Sequence, residues 1–248
     1  MTHVLCGSLF AKHFQYQFGQ KRASRFKVDF GKLFEHKSYV DLPQVEIPFT
    51  LEEIKSVVFD LGHDKAPGPN GFPQFFCFFK HLWDTIKEDL WRLCDDFFFG
   101  KANLKRINWA CIALIPKVDT LGAPGDYRPI SMINSTLKII SKLIATPLDK
   151  VINGLVDVEQ SVFLKGRYNL DNIASLEELI FSIHKWRMHG HILKVDFAKA
   201  FDMMDWDFLL DLLKARGFWE RWGGWIWSIL VSSKAIVLIN GSPHGYVR

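Results

Sequence analysis

Cysteine is scarce in this chain, and so is any excess of charge. Cys6, Cys77, Cys94 and Cys111 are widely spread over 248 residues and form no C-x-x-C pair. That spacing argues against a zinc module and fits reduced, mostly core thiols in an intracellular protein. Met1-Thr2-His3-Val4-Leu5 lacks the basic segment and apolar core of a secretory signal. The longest charge-free stretch near the end, Trp222 to Ser233, is too short to span a bilayer. No internal repeat or low-complexity tract is present. The formal net charge is only +4, which is compatible with nucleic acid without pointing to it. What the chain has in quantity is aromatic surface, with 22 Phe and 9 Trp. Rings in that number must be buried or meet a partner. The length allows one or two domains with a sizeable core.

The stretch that organises the rest is Ile192-Leu193-Lys194-Val195-Asp196-Phe197-Ala198-Lys199-Ala200-Phe201-Asp202. The run Ile192 to Val195 reads as a short buried strand. A carboxylate at its end, Asp196, is the oxygen ligand a hard cation such as Mg²⁺ wants, with water and substrate phosphates completing the shell. Two such ions can clamp an in-line phosphoryl displacement. A strand-end aspartate equally serves to cap a turn, and these residues alone leave both readings open.

Around it the periodicity predicts mostly helices. Thr50 and Glu53 form a capping box, with Ile54, Val57, Val58 and Leu61 on one face and a stop near Gly62. Two prolines and two glycines between Lys65 and Gly71 force a turn. Phe72 to Phe99 is one or two helices with an aromatic core face, ended by Gly100. Trp109 to Ile115 is a strand ended by Pro116-Lys117, in a hairpin with the segment from Arg128. Ile133 to Ile152 is an amphipathic helix that Pro147 should kink or end. Asn169 or Asp171 caps a helix to about Met188, with Ile173, Leu176, Ile180 and Ile183 inward. Asp205 caps the next helix, with Trp206, Leu209, Leu210 and Leu213 to the core, and Gly217 ends it. A helix from Glu220 to Val231 and a strand from Ala235 to Ile239 lead to the turn Asn240-Gly241. The basic cluster Lys21 to Lys27 reads as a solvated face, and residues 1–44 as the least informative part.

Six pieces in order resemble the reverse transcriptases of LINE-type non-LTR retrotransposons, especially plant ones. They are Asp64-Lys65-Ala66-Pro67-Gly68-Pro69-Asn70-Gly71-Phe72, Ala113-Leu114-Ile115-Pro116-Lys117, Asp126-Tyr127-Arg128-Pro129-Ile130-Ser131, Phe163-Leu164-Lys165-Gly166-Arg167, Asp196 to Asp202, and Val237-Leu238-Ile239-Asn240-Gly241-Ser242-Pro243. The resemblance implies that Asp196 and the backbone carbonyl of Phe197 hold Mg²⁺. It implies Arg128, and secondarily Lys117, on the triphosphate, with Phe201 beneath the sugar selecting deoxynucleotides. Lys65, Lys165, Gly166 and Arg167 would meet template or primer, and Asp202 would be structural. RNA template, DNA primer and deoxynucleoside triphosphates are the implied partners, and the nucleus the implied location. Asn70, where the family more often has Asp, and Thr146-Pro147-Leu148 depart from its pattern.

The expected fold is α+β, with helices on a small, mainly antiparallel sheet. Residues 1–47 would be an N-terminal extension, 48–188 a fingers-like region and 189–248 a partial palm. An aromatic or alanine before paired aspartates is not found; the only near match, Cys94-Asp95-Asp96, sits in a predicted helix. One carboxylate cannot hold two Mg²⁺ ions against phosphate competition. The expectation is therefore a reverse transcriptase domain fragment that does not polymerise alone, or else a non-catalytic nucleic-acid-binding remnant.

Overall fold

The computed structural model describes residues 3–19, 27–35, 42, 45–61, 68–69, 75–120, 122–193, 195, 197 and 199–247. β1 (Trp109–Pro116) and β2 (Tyr127–Ile133) form the expected antiparallel hairpin. β3 (Lys234–Ile239) lies parallel to β1 on its other side, and β4 (Ser242–Val247) runs antiparallel on β3. The order is β2-β1-β3-β4, so the architecture is α+β with a mainly antiparallel sheet. Asn240 and Gly241 both take positive φ, 49° and 77°, which suits the right-handed twist of a two-residue hairpin.

One face of this sheet is covered by α1 (His3–Gly19), from the part of the chain whose sequence said least. Phe14, Ile112, Val237 and Val247 make its buried core. The helix sits close: a Cβ at Gly245 would collide with the Cβ of Ala11, and Gly245 has φ +62°. Gly245→Ala therefore meets both left-handed strain, about 1–2 kcal/mol, and a clash. We expect a lower melting temperature and faster amide exchange along α1 than in the unchanged chain.

The helices from Leu51 onward stand mostly where capping and periodicity predict them. α2 (Phe30–Leu33) is a short turn capped by Asp29. α3 (Leu51–Asp60) carries the full capping box, with Thr50 N donating to Glu53 Oε2 at 2.9 Å and Glu53 N to Thr50 Oγ1 at 3.2 Å. α4 (Phe75–His81), α5 (Trp83–Phe98) and α6 (Ser135–Leu155) pack on it around Ile54, Val58, Cys94 and Ile139. Cys94 and Cys111 are free thiols, and burial pushes Cys94 up to about 12, so it stays protonated and acts as a small apolar group. α9 (Glu220–Ser232) closes a second cluster with Phe97, Phe98, Ile140, Trp222 and Trp225.

Four local expectations are corrected. α6 does not end at Pro147 but runs eight residues further to Leu155; its buried residues, among them Leu137, Ile140 and Ile144, precede the proline, and Leu148, Val151 and Leu155 beyond it are half-buried against the second cluster. α7 (Asn169–Lys185) begins after Tyr168 and has no side-chain cap. Its residues Ile173, Leu176 and Ile180 are exposed, not inward, and α7 buries none of its described residues. In α8 (Trp206–Ala215), capped by Asp205 as expected, Trp206 is exposed and Leu209, Leu210 and Leu213 are only half-buried. Finally Ile192, Leu193 and Val195 are exposed and belong to no strand. Periodicity says which residues share a face, not whether another element covers it. A buried strand also needs hydrogen-bonded neighbours, and among the described residues none pairs with this run.

Candidate functional site

The loop between β1 and β2 is closed by its own polar groups. Lys117 N donates to the Asp126 carbonyl at 2.8 Å, and Lys117 Nζ to the Gly125 carbonyl at 2.7 Å. The Asp126 carboxylate accepts from Gly122 N and Ala123 N at 2.9 and 2.8 Å. Those two backbone bonds, helped by the Lys117 charge, hold the Asp126 carboxyl below its usual value of 3.8. The loop's gain is thus full above that value and lost as pH falls through the lower, folded one. Arg128 stands at the start of β2, paired with Ile115, exposed. Its guanidinium has no hydrogen bond or ion pair among the described residues, so its fork is available for an anion.

Helix α1 ties this loop to the stretch that ends at Asp202. Phe10 sets its ring edge-on to Tyr127 at 5.2 Å. Two turns on, Gln17 Nε2 donates to Asp202 Oδ2 at 3.1 Å and Gln17 Oε1 accepts from Lys199 Nζ at 2.7 Å. Seven residues of helix rise about 10 Å, so the hairpin loop and residues 199–202 lie along one helix. Lys199 takes φ 52°, a left-handed conformation that a long side chain rarely adopts and that clusters at functional sites.

His13 lies between these contacts with its Nε2 buried and without a partner among the described residues. Burial first, then the charges of Lys199 and Lys117, lower its pKa from 6.5. The unfolded chain then takes up this proton before the folded one. Stability is full above 6.5 and falls as pH drops through that window. We expect α1 amides to exchange faster at about pH 5.5 than at about pH 7.5, beyond the intrinsic pH dependence of exchange, and His13→Gln to abolish the difference.

Phe197 and Phe201 are 75% and 84% exposed, and Phe201 meets Phe163 edge-on at 6.2 Å. Lys165 is exposed. Gly166 has φ +80° with no protein atom near its Cβ position, a left-handed turn conformation that glycine takes without strain. Arg167 is used differently from the expectation. It donates to the carbonyls of Asn153, Val156, Asp157 and Gln160 and to Asn153 Oδ1. Its guanidinium is thus turned onto the C-terminal carbonyls of α6 and away from solvent phosphate. Asp196, Lys65 and most of the Lys21 to Lys27 cluster lie outside the described residues.

Sequence reasoning missed His13, Gln17 and Lys199. The signal for α1 was there in Phe10, Phe14 and Phe18 at four-residue spacing. Among the described residues no group of three His, Cys, Asp or Glu could hold a metal ion, and no helix is long and apolar enough to cross a membrane. The described side chains therefore do not by themselves make a Mg²⁺ site.

Residues 115–247 match the protein family described as reverse transcriptase (RNA-dependent DNA polymerase). Among known proteins, the chain is similar to an uncharacterized 149 kDa protein of transposon TX1 from Xenopus laevis, 29% identical over 80% of the chain and 15% of the relative. It is also similar to the Pol polyprotein of the type-2 retrotransposable element R2DM from Drosophila melanogaster, 32% identical over 45% of the chain and 10% of the relative. A third similarity is to the Pol polyprotein of the type-1 retrotransposable element R1 from Bradysia coprophila, 25% identical over 79% of the chain and 20% of the relative. The chain thus spans a fifth or less of the length of these relatives.

Proposed function

This chain belongs to the reverse transcriptase family, of the non-LTR retrotransposon kind, and from that premise we propose that it is the fingers and first-acid part of an RNA-directed DNA polymerase. The single observation that carries the reading is that the family match runs unbroken from the hairpin with Arg128 to the stretch Asp196–Asp202 and the β3–β4 hairpin. Arg128 takes the triphosphate of an incoming deoxynucleotide, with the Lys117 ammonium as a second, partly occupied donor. Phe201 lies beneath the sugar, where a ring excludes a 2′-hydroxyl. Lys65, Lys165 and the Gly166 turn meet the template–primer backbone, and Arg167 holds that turn against α6. Asp196 and the Phe197 carbonyl hold Mg²⁺, which when bound would neutralise charge developing on the phosphates. The work belongs in the nucleus, on an RNA template and a DNA primer.

That motif supplies one carboxylate and one carbonyl, too few oxygens for two ions. The 248-residue chain alone is therefore expected to bind nucleic acid without extending a primer. The test is extension on an RNA template with Mg²⁺ and deoxynucleotides, the chain beside Asp196→Ala. Extension by the unchanged chain and not by Asp196→Ala would refute the inactivity and establish the metal role. Failure to bind template, primer or deoxynucleotide would refute the polymerase reading itself.

A further inference from the structure

At the end of the sheet away from Arg128 a cleft of about 270 Å³ is lined by Lys105, Arg106, Trp109, Lys234, Ile236 and Tyr246. We propose that this cleft is a second nucleic-acid site, which binds an unpaired strand by its phosphates and one stacked base. The proposal deepens the polymerase reading and rests on it.

The register explains how the cleft forms. Trp109 pairs with Lys234, and Tyr246 with Ile236. Side chains alternate across a strand, and α1 covers the face that presents Ile112, Val237 and Val247. Trp109, Lys234, Ile236 and Tyr246 therefore present on the opposite face, where Tyr246 is 68% exposed. Just before β1, the turn Leu104–Arg106 adds Lys105 and Arg106. Three cations thus line one cleft with no carboxylate among them. None of the three has a side-chain hydrogen bond or ion pair among the described residues.

Unpaired positive charge beside exposed rings is the chemistry that holds single strands: cations track the phosphates while bases stack on aromatic faces. Arg128, through Ile115, lies on the same face of the sheet. Six residues of strand separate it from Trp109, about 20 Å. Ile115 and Ile130 between them are exposed, so an uncovered surface joins the two ends. A strand held in the cleft would be directed along the sheet to the nucleotide end.

The test is fluorescence anisotropy of a short labelled single-stranded RNA, and of DNA of the same sequence, with the full chain. A triple variant, Lys105→Gln, Arg106→Gln and Lys234→Gln, is expected to lose at least tenfold in affinity. The slope of log affinity against log salt should shrink by about 2, since each single-strand phosphate contact contributes about 0.7. Tyr246→Ala should weaken binding about tenfold, without changing that slope. These side chains line the surface, so melting curves should match the unchanged chain. A control triple variant on α6, Lys142→Gln, Lys150→Gln and Lys138→Gln, should cost much less. Unchanged affinity and slope in the cleft triple, an equal loss in the control, or no effect of Tyr246→Ala would each overturn the site. Preference between the RNA and DNA arms identifies the strand. Deoxynucleotide binding by the cleft triple should stay intact, which separates failure of this site from failure of the polymerase reading.

Discussion

Trp225→Ala is expected to lower the unfolding free energy by about 3–5 kcal/mol, the cost of removing a buried large aromatic side chain. Trp225 is 2% exposed and lies at the junction of α5, α9 and the entry to α3. Its ring meets Phe98 at 5.4 Å, Phe97 at 5.8 Å and Phe49 at 5.9 Å. Its Nε1 donates to the Phe98 carbonyl at 3.1 Å, inside the core. That carbonyl ends α5 and has no helical partner of its own. Truncation therefore removes packing from three rings and leaves a buried acceptor unpaired. Domains of this kind hold only about 5–15 kcal/mol in all, so the change takes a large share. Trp225→Phe keeps most of the packing and loses the bond, and should fall between. Trp222 gives the contrast: its Nε1 is buried with no partner among the described residues, so Trp222→Phe gives up no hydrogen bond and should cost less than Trp225→Phe. Urea midpoints at unchanged slope measure both. Equal costs for the two Phe variants would sink the role assigned to the Trp225 hydrogen bond.

Most of the fold was legible where local chemistry decides it. Thr50 with Glu53, Asp205 before Trp206, Gly100 and Gly217 at positive φ, and Asn240-Gly241 each act within a few residues, and each does what its type predicts. The β1–β2 hairpin was legible for the same reason. What was not legible depends on distant partners. The apolar stripe of α7 is real, yet nothing among the described residues covers it, so Ile173 and Leu176 face outward. Ile192 to Val195 has strand chemistry, yet none of its described residues pairs with a neighbour. The parallel pairing of β1 with β3 joins residues about 125 apart, and no local signal announces it. At the candidate site, Arg128 and Lys117 were expected from type and resemblance, and the structure sets both at one end of the β1–β2 hairpin. Arg167 was misread because sequence cannot tell a guanidinium that caps a helix from one that waits for phosphate. Gln17 was invisible because its two partners, Lys199 and Asp202, are more than 180 residues away.

Arg128→Ala should weaken binding of a deoxynucleoside triphosphate by about tenfold to a hundredfold, the range of about 1.5–3 kcal/mol for a hydrogen bond to a charged group. Two cations stand at this end of the sheet, and their occupancy separates them. The Lys117 ammonium already donates to the Gly125 carbonyl, so Lys117→Ala loosens the loop as well as removing charge, and its effect on binding is indirect in part. Arg128 has no such duty among the described residues, so its removal should leave the melting temperature unchanged while binding falls. Arg128→Lys restores the charge but not the planar fork, and a point charge cannot repeat two parallel bonds to one phosphate. It should recover only part of the lost affinity. Isothermal titration with Mg²⁺ and one deoxynucleotide reads all three variants. Full recovery in Arg128→Lys would reduce Arg128 to a source of positive field. Equal binding by Arg128→Ala and the unchanged chain would remove it from the site and leave Lys117 as the cation to be tested there.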